Sequence, residues 1–133
     1  MPFIFLAAWL FSIFGPTSSF VINITNSQVD LISHIYNRAQ ASSISPEILL
    51  KILYCESRLN PKARGDYRSE SDTYMANGIA QWWKSSWDAY SKKYNFHGNY
   101  NSAKDQITLM AMLLGSEENG WLNWKTCALK ASI

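Results

Sequence analysis

Ser45-Pro46-Glu47-Ile48-Leu49-Leu50-Lys51-Ile52-Leu53-Tyr54-Cys55-Glu56-Ser57-Arg58-Leu59-Asn60-Pro61 is the stretch whose reading decides the fold. Ser45 is a good N-cap, and Pro46 suits the first helical position, where its missing N–H is not needed. Asn60-Pro61 closes the segment, because a proline pushes the residue before it out of the helical region. The spacing predicts an amphipathic helix from Ser45 to Arg58. At about 100° per residue, Ile48, Leu49, Ile52 and Leu53 share one face whose mean direction lies about 70° from Ile48. Glu56 falls at about 80° on the same wheel, in the middle of that apolar stripe. Glu47, Lys51, Tyr54 and Arg58 take the opposite face. A carboxylate on a buried face is costly to ionise, so its pKa rises and it can donate a proton near neutral pH. Glu56 is therefore the candidate general acid. The alternative is a glutamate at a frayed helix end, tipped out to solvent.

On the N-terminal side, Ser27 to Ala41 reads as another helix, with Ser27 and Asp30 as a capping box and Ile32, Ile35, Tyr36 and Ala39 as its apolar face. On the C-terminal side, residues 61–77 (PKARGDYRSESDTYMAN) form a long polar excursion with a turn signal at Gly65-Asp66. Loops of this length in small domains are often functional. The chain turns apolar again at Gly78-Ile79-Ala80-Gln81-Trp82-Trp83. A helix is expected from Ser85 to Tyr94, with Trp83, Trp87, Tyr90 and Tyr94 as one aromatic stripe, better explained as core than as a sugar platform. Ser102 and Asp105 suggest a capping box for a helix whose run Ile107–Leu114 is nearly all apolar, with Gly115 as its stop. Trp121, Trp124 and Cys127 or Ala128 suggest a last short helix. No repeat and no convincing alternating strand pair is visible. The expected fold is mainly α: one domain over residues 27–133, with a long loop after the helix that carries Glu56.

The chain has 133 residues, 47% of them hydrophobic and 14% aromatic, enough for a real core. Its net charge of +2 is too mild to imply nucleic acid. The opening differs from the rest. Phe3 to Phe14 is an uncharged apolar run, too short to span a bilayer comfortably, followed by Gly15-Pro16 and small residues. Residues 1–19 fit a secretory signal, with cleavage after Ser19. No Lys or Arg precedes the run, so an uncleaved N-terminal membrane anchor is the alternative. Residues 20–26 are a lead-in, and Asn23-Ile24-Thr25 is a glycosylation sequon that matters only in a eukaryotic secretory pathway. The expected location is secreted or cell-envelope, or else membrane-anchored.

Cys55 and Cys127 are the only cysteines. Export favours a disulfide between them, which by chain entropy would contribute on the order of 4 kcal/mol. Two buried free thiols are the alternative. No metal site is expected, because these cysteines and the distant His34 and His97 lack ligand spacing. Phosphate-loop, dinucleotide and GxSxG signatures are absent, so no cofactor is expected.

Two segments together carry a resemblance. Glu56-Ser57-Arg58-Leu59-Asn60-Pro61-Lys62-Ala63, followed by Gly78-Ile79-Ala80-Gln81-Trp82, resembles the lytic transglycosylase (SLT-type) domain of the lysozyme-like superfamily, which includes relatives of goose-type lysozymes. The similarity runs over roughly residues 27–130. It implies a lysozyme-like fold that cuts the β-1,4 bond between N-acetylmuramic acid and N-acetylglucosamine in peptidoglycan. It implies that Glu56 is the catalytic acid, that Ser57 orients the acid or the sugar, and that Gln81, with Ile79 nearby, flanks the bound sugar. The partner implied is the peptidoglycan glycan strand.

Three departures from the family matter. The usual Ala-Tyr-Asn-x-Gly motif after the long apolar helix has no match in Leu113-Leu114-Gly115-Ser116-Glu117-Glu118. The loop after the helix is long and acidic, with Asp66, Glu70 and Asp72. No separate wall-binding module is recognisable. If Glu56 works alone, the resemblance implies a non-hydrolytic cut that leaves a 1,6-anhydro sugar. If Asp66 or Asp72 holds a water, the outcome is hydrolysis with inversion. A catalytically weak or inactive glycan-binding module is the reading from another class. A wall-opening component of a secretion, conjugation or phage-like machine is a third.

Overall fold

A computed structural model describes residues 25–131. The signal or anchor segment 1–19, most of the lead-in and Asn23 of the sequon lie outside the described residues. Helix α1 spans Val29–Ala41 and α2 spans Pro46–Ser57. Strands β1 (Arg64–Arg68), β2 (Thr73–Asn77) and β3 (Trp82–Trp83) follow. Then come α3 (Lys84–Lys93), α4 (Ala103–Ser116), a 3₁₀ turn over Gly120–Trp124, and α5 (Lys125–Ala131). The fold is mainly α. Among the described residues no helix is long and apolar enough to cross a membrane.

The central helix is α4, which buries Ile107, Leu109, Met110, Ala111 and Leu113 together with Gln106. Helix α1 lies on it through the fully buried Ile35 and Ala39. Helix α2 packs between α1 and α5, burying Leu49, Ile52 and Leu53. Ile48 departs from the expected stripe. It is 41% exposed and lines an apolar groove with Leu49, Trp121 and Leu129. The Cys55–Cys127 disulfide fastens α5 to the end of α2 across 72 positions.

Several local expectations are revised by the geometry. The predicted Ser27–Asp30 capping box does not form, since α1 begins at Val29 behind a 3₁₀ turn. Asp30 instead pairs with Lys104 on α4 at 2.8 Å. Gly115 does not stop α4, which runs on to Ser116. A Cβ there would stand 2.4 Å from the Ser42 carbonyl oxygen, so the glycine lets α4 and the α1–α2 connection approach. The polar excursion 61–77 is not irregular. It holds an antiparallel hairpin, with Gly65 opposite Ala76 and Tyr67 opposite Tyr74, and β3 completes a small sheet by pairing Ala76 with Trp83. The alternation that marks a strand is missing because β1 is exposed at every position but Gly65.

Candidate active site

Helix α2 ends at the site. Ser45 caps its start by accepting from the Ile48 N–H at 3.4 Å. At its far end Arg58 and Leu59 both take the left-handed conformation, with φ of 55° and 59°. This double reversal drops Leu59 into the core, fully buried, and sends the chain toward β1. The last turn thus presents three consecutive residues with different jobs. Cys55 is held by its disulfide, Glu56 stands partly buried, and Ser57 faces inward at 8% exposure.

Ser57 donates its hydroxyl to the Ile79 carbonyl at 2.6 Å, with the Leu53 carbonyl also in reach at 3.2 Å. The Ile79 side chain is fully buried, so its link to the site runs through its backbone rather than a surface open to sugar. Every neighbour in that segment is tied as well. The Gly78 N–H donates to the Ala63 carbonyl at 2.9 Å. The Ala80 N–H donates to Gln106 Oε1 at 3.1 Å, and the Ala80 carbonyl accepts from the Trp124 indole at 2.7 Å. Gln106 is 2% exposed and also donates to the carbonyls of Asn77 (3.3 Å) and Tyr100 (2.8 Å). Gly78 has φ +84°, and a Cβ there would meet Gln106 Nε2 at 2.3 Å. Glycine is required on both counts.

Gln81 clamps the base of the hairpin. Its amide nitrogen donates to the Ala63 carbonyl before β1 (3.1 Å) and to the Gly78 carbonyl after β2 (2.9 Å). Gly65 leaves room for this side chain, since a Cβ there would lie 2.4 Å from Gln81 Oε1.

Asp66 sits in the middle of β1 with φ 51°, a left-handed conformation that aspartate tolerates better than most residues. Its Oδ2 accepts from the Trp83 indole at 2.8 Å. Arg68 lies over the Trp83 ring at 5.5 Å. Trp83 thus leaves the predicted aromatic stripe and serves the hairpin. Its fellows do pack on the core, with Trp87 buried and Tyr90 and Tyr94 stacked. Asp72 occupies a different place: at the hairpin turn it accepts from the Tyr67 hydroxyl at 2.7 Å.

The electrostatics of Glu56 follow from these positions. Burial, and secondly the negative charge of Asp66, push its pKa from 4.5 up to about 7. Desolvation disfavours the carboxylate, and a like charge nearby disfavours it further. Of the two loop aspartates named from sequence, Asp66 acts on Glu56, whereas Asp72 is engaged at the turn. Gln106 was not named from sequence, and Trp83 and Trp124 were read only as packing residues. Among the described residues no group of His, Cys, Asp or Glu is placed to hold a metal ion.

Residues 33–124 match the family described as the transglycosylase SLT domain, which is more than half of the chain. The chain belongs to the transglycosylase SLT family. No curated protein and no solved structure matches it. The SLT match begins within α1 and ends at Trp124, so it takes in α2, the hairpin, the 78–81 segment and α4. At the level of the family, an SLT domain belongs to peptidoglycan cleavage of the lytic-transglycosylase type.

Proposed function

We propose that this protein cuts the β-1,4 bond between N-acetylmuramic acid and N-acetylglucosamine in peptidoglycan, with Glu56 as proton donor. The observation that carries the proposal is the partly buried Glu56, its pKa pushed up to about 7, on a framework of the SLT family. A carboxyl that keeps its proton near neutral pH can deliver it to the glycosidic oxygen as the C1–O bond breaks. The N-acetyl group of the substrate then stabilises the sugar cation. The glutamate so formed takes the proton from the 6-hydroxyl, whose oxygen bonds to C1 and closes a 1,6-anhydro ring without consuming water. Ser57 and Gln81 act in this scheme as positioning residues, since their polar atoms are bonded to protein backbone.

A second reading is supported by one observation, the charge that Asp66 exerts on Glu56. A second carboxylate close enough to act on the first suits water attack, with Asp66 taking the water's proton while Glu56 protonates the leaving oxygen. The product is then a reducing sugar. Export to the cell envelope belongs to both readings and is supported by the disulfide.

The test is mass spectrometry of fragments from purified peptidoglycan, run beside Glu56→Gln. Loss of about 100-fold or more in fragment release is expected of the variant. Unchanged release rules Glu56 out as the acid. Anhydro ends support the first route and reducing ends the second. Glycan binding without any cut in the wild type leaves only a binding module.

A further inference from the structure

An apolar groove of about 400 Å³ lies along the start of α2, toward the other end of that helix from Glu56. Ile44, Ile48 and Ile52 line it from α2 and its approach, and Leu114, Trp121 and Leu129 from the chain beyond. Apolar surface continues past its edge. Ile48 is 41% exposed and Leu129 50%, and so is Leu122, which follows Trp121 but lies outside the groove. Single exposed leucines are ordinary, whereas several gathered round one apolar groove mark an interaction surface.

Charge says what kind of surface it meets. Residues 119–131, which build one side of the patch, carry Lys125 and Lys130, both exposed, and no Asp or Glu. Lys125 and Leu129 stand four residues apart on α5, and so on one face of it. Lys130 follows directly. The carboxylates that border the patch in sequence are Glu47, Glu117 and Glu118. Glu47 accepts from the Ser45 hydroxyl at 3.2 Å, and Glu117 pairs with Lys93. The C-terminal side of the patch thus offers leucines, an indole and ammonium groups together. Leucine and indole suit the zone just beneath lipid headgroups, and lysine suits their phosphates. A partner helix seated in the groove would leave Leu122 in water, while a broad, flat contact covers the leucine and the groove at once.

We propose that this face rests on the surface of a phospholipid bilayer rich in anionic headgroups. The contact is made by the folded domain, and it shares no residue with the site at Glu56. It is independent of the chemistry proposed there.

The experiment maps lysine acetylation on the full chain, in solution and with vesicles of equal parts phosphatidylglycerol and phosphatidylcholine. On these vesicles Lys125 and Lys130 should react about fivefold more slowly, while Lys62, exposed at the hairpin base, keeps its rate. Pure phosphatidylcholine vesicles should give little protection. Leu122→Ser/Leu129→Ser should abolish the protection; both side chains are half exposed, and thermal melting shows that the variant folds. A chain that stays on the vesicles while Lys125 and Lys130 react as in solution overturns the proposal, since lipid is then met by another segment. Equal protection of Lys62 overturns it as unspecific adsorption. Protection kept in the leucine variant, or absence of binding, overturns it too. Protection that appears without vesicles as protein concentration rises assigns the face to a second copy of the chain instead.

Discussion

Glu56→Gln should stabilise the protein at alkaline pH while abolishing its chemistry. In the folded chain the Glu56 carboxyl has its pKa raised from 4.5 to about 7. The unfolded chain ionises it near its ordinary value, so between these two pH values the unfolded state holds fewer protons than the folded one. Folding stability therefore falls as pH rises through this window, by about 1.4 kcal/mol per pH unit. Above pH 7 both states are ionised and the penalty is constant. Below 4.5 both are protonated and it vanishes. The full shift corresponds to about 3 kcal/mol, an upper figure because Glu56 keeps some contact with water. Glutamine has nearly the same shape and no charge, so it removes the penalty. Urea unfolding at pH 4, 6 and 8 checks this. The variant and the wild type should be nearly equal at pH 4, with the variant gaining about 2–3 kcal/mol by pH 8. A stability difference that does not change with pH would refute the idea that Glu56 is held protonated by its surroundings.

Cleavage itself should decline as pH rises through about 7, when the acid loses its proton, and Asp66→Asn should move that decline to lower pH by removing a charge that holds the proton on; a pH–rate profile of both proteins reads it. Gln106→Ala strands the Ala80 N–H and the carbonyls of Asn77 and Tyr100, and should cost about 2–4 kcal/mol in denaturant unfolding and lower kcat as the 78–81 segment loosens. Replacing both Cys55 and Cys127 by alanine opens a loop of 72 positions and should cost on the order of 4 kcal/mol, seen as a fall in Tm of about 10–20 °C. An unchanged Tm would show that packing alone holds α5 on α2.

The helices were legible because their signals are local. Ser45-Pro46 and the spacing of Leu49, Ile52 and Leu53 state a start and a face, and α4 announces itself by an apolar run. The partly buried place of Glu56 follows from the same wheel. The hairpin was not legible, because β1 carries almost no buried residue and is held by backbone pairing and by Gln81, neither of which leaves a periodic trace. Trp83 misled for a related reason. It sits at helical spacing from Trp87, yet α3 begins one residue later and the indole turns to Asp66 instead. Gln106 was passed over because three bonds to distant backbone cannot be read from its neighbours in sequence.

The ties on residues 78–80 come from remote parts of the chain: Ser57 near the middle, Ala63 at the hairpin base, Gln106 on α4 and Trp124 near the far end. Such a floor is built from non-local contacts and closes late in folding. A nascent chain that has not yet released Trp124 from the ribosome lacks one of its pillars. The 78–80 floor therefore closes only once the far end of the domain is in place.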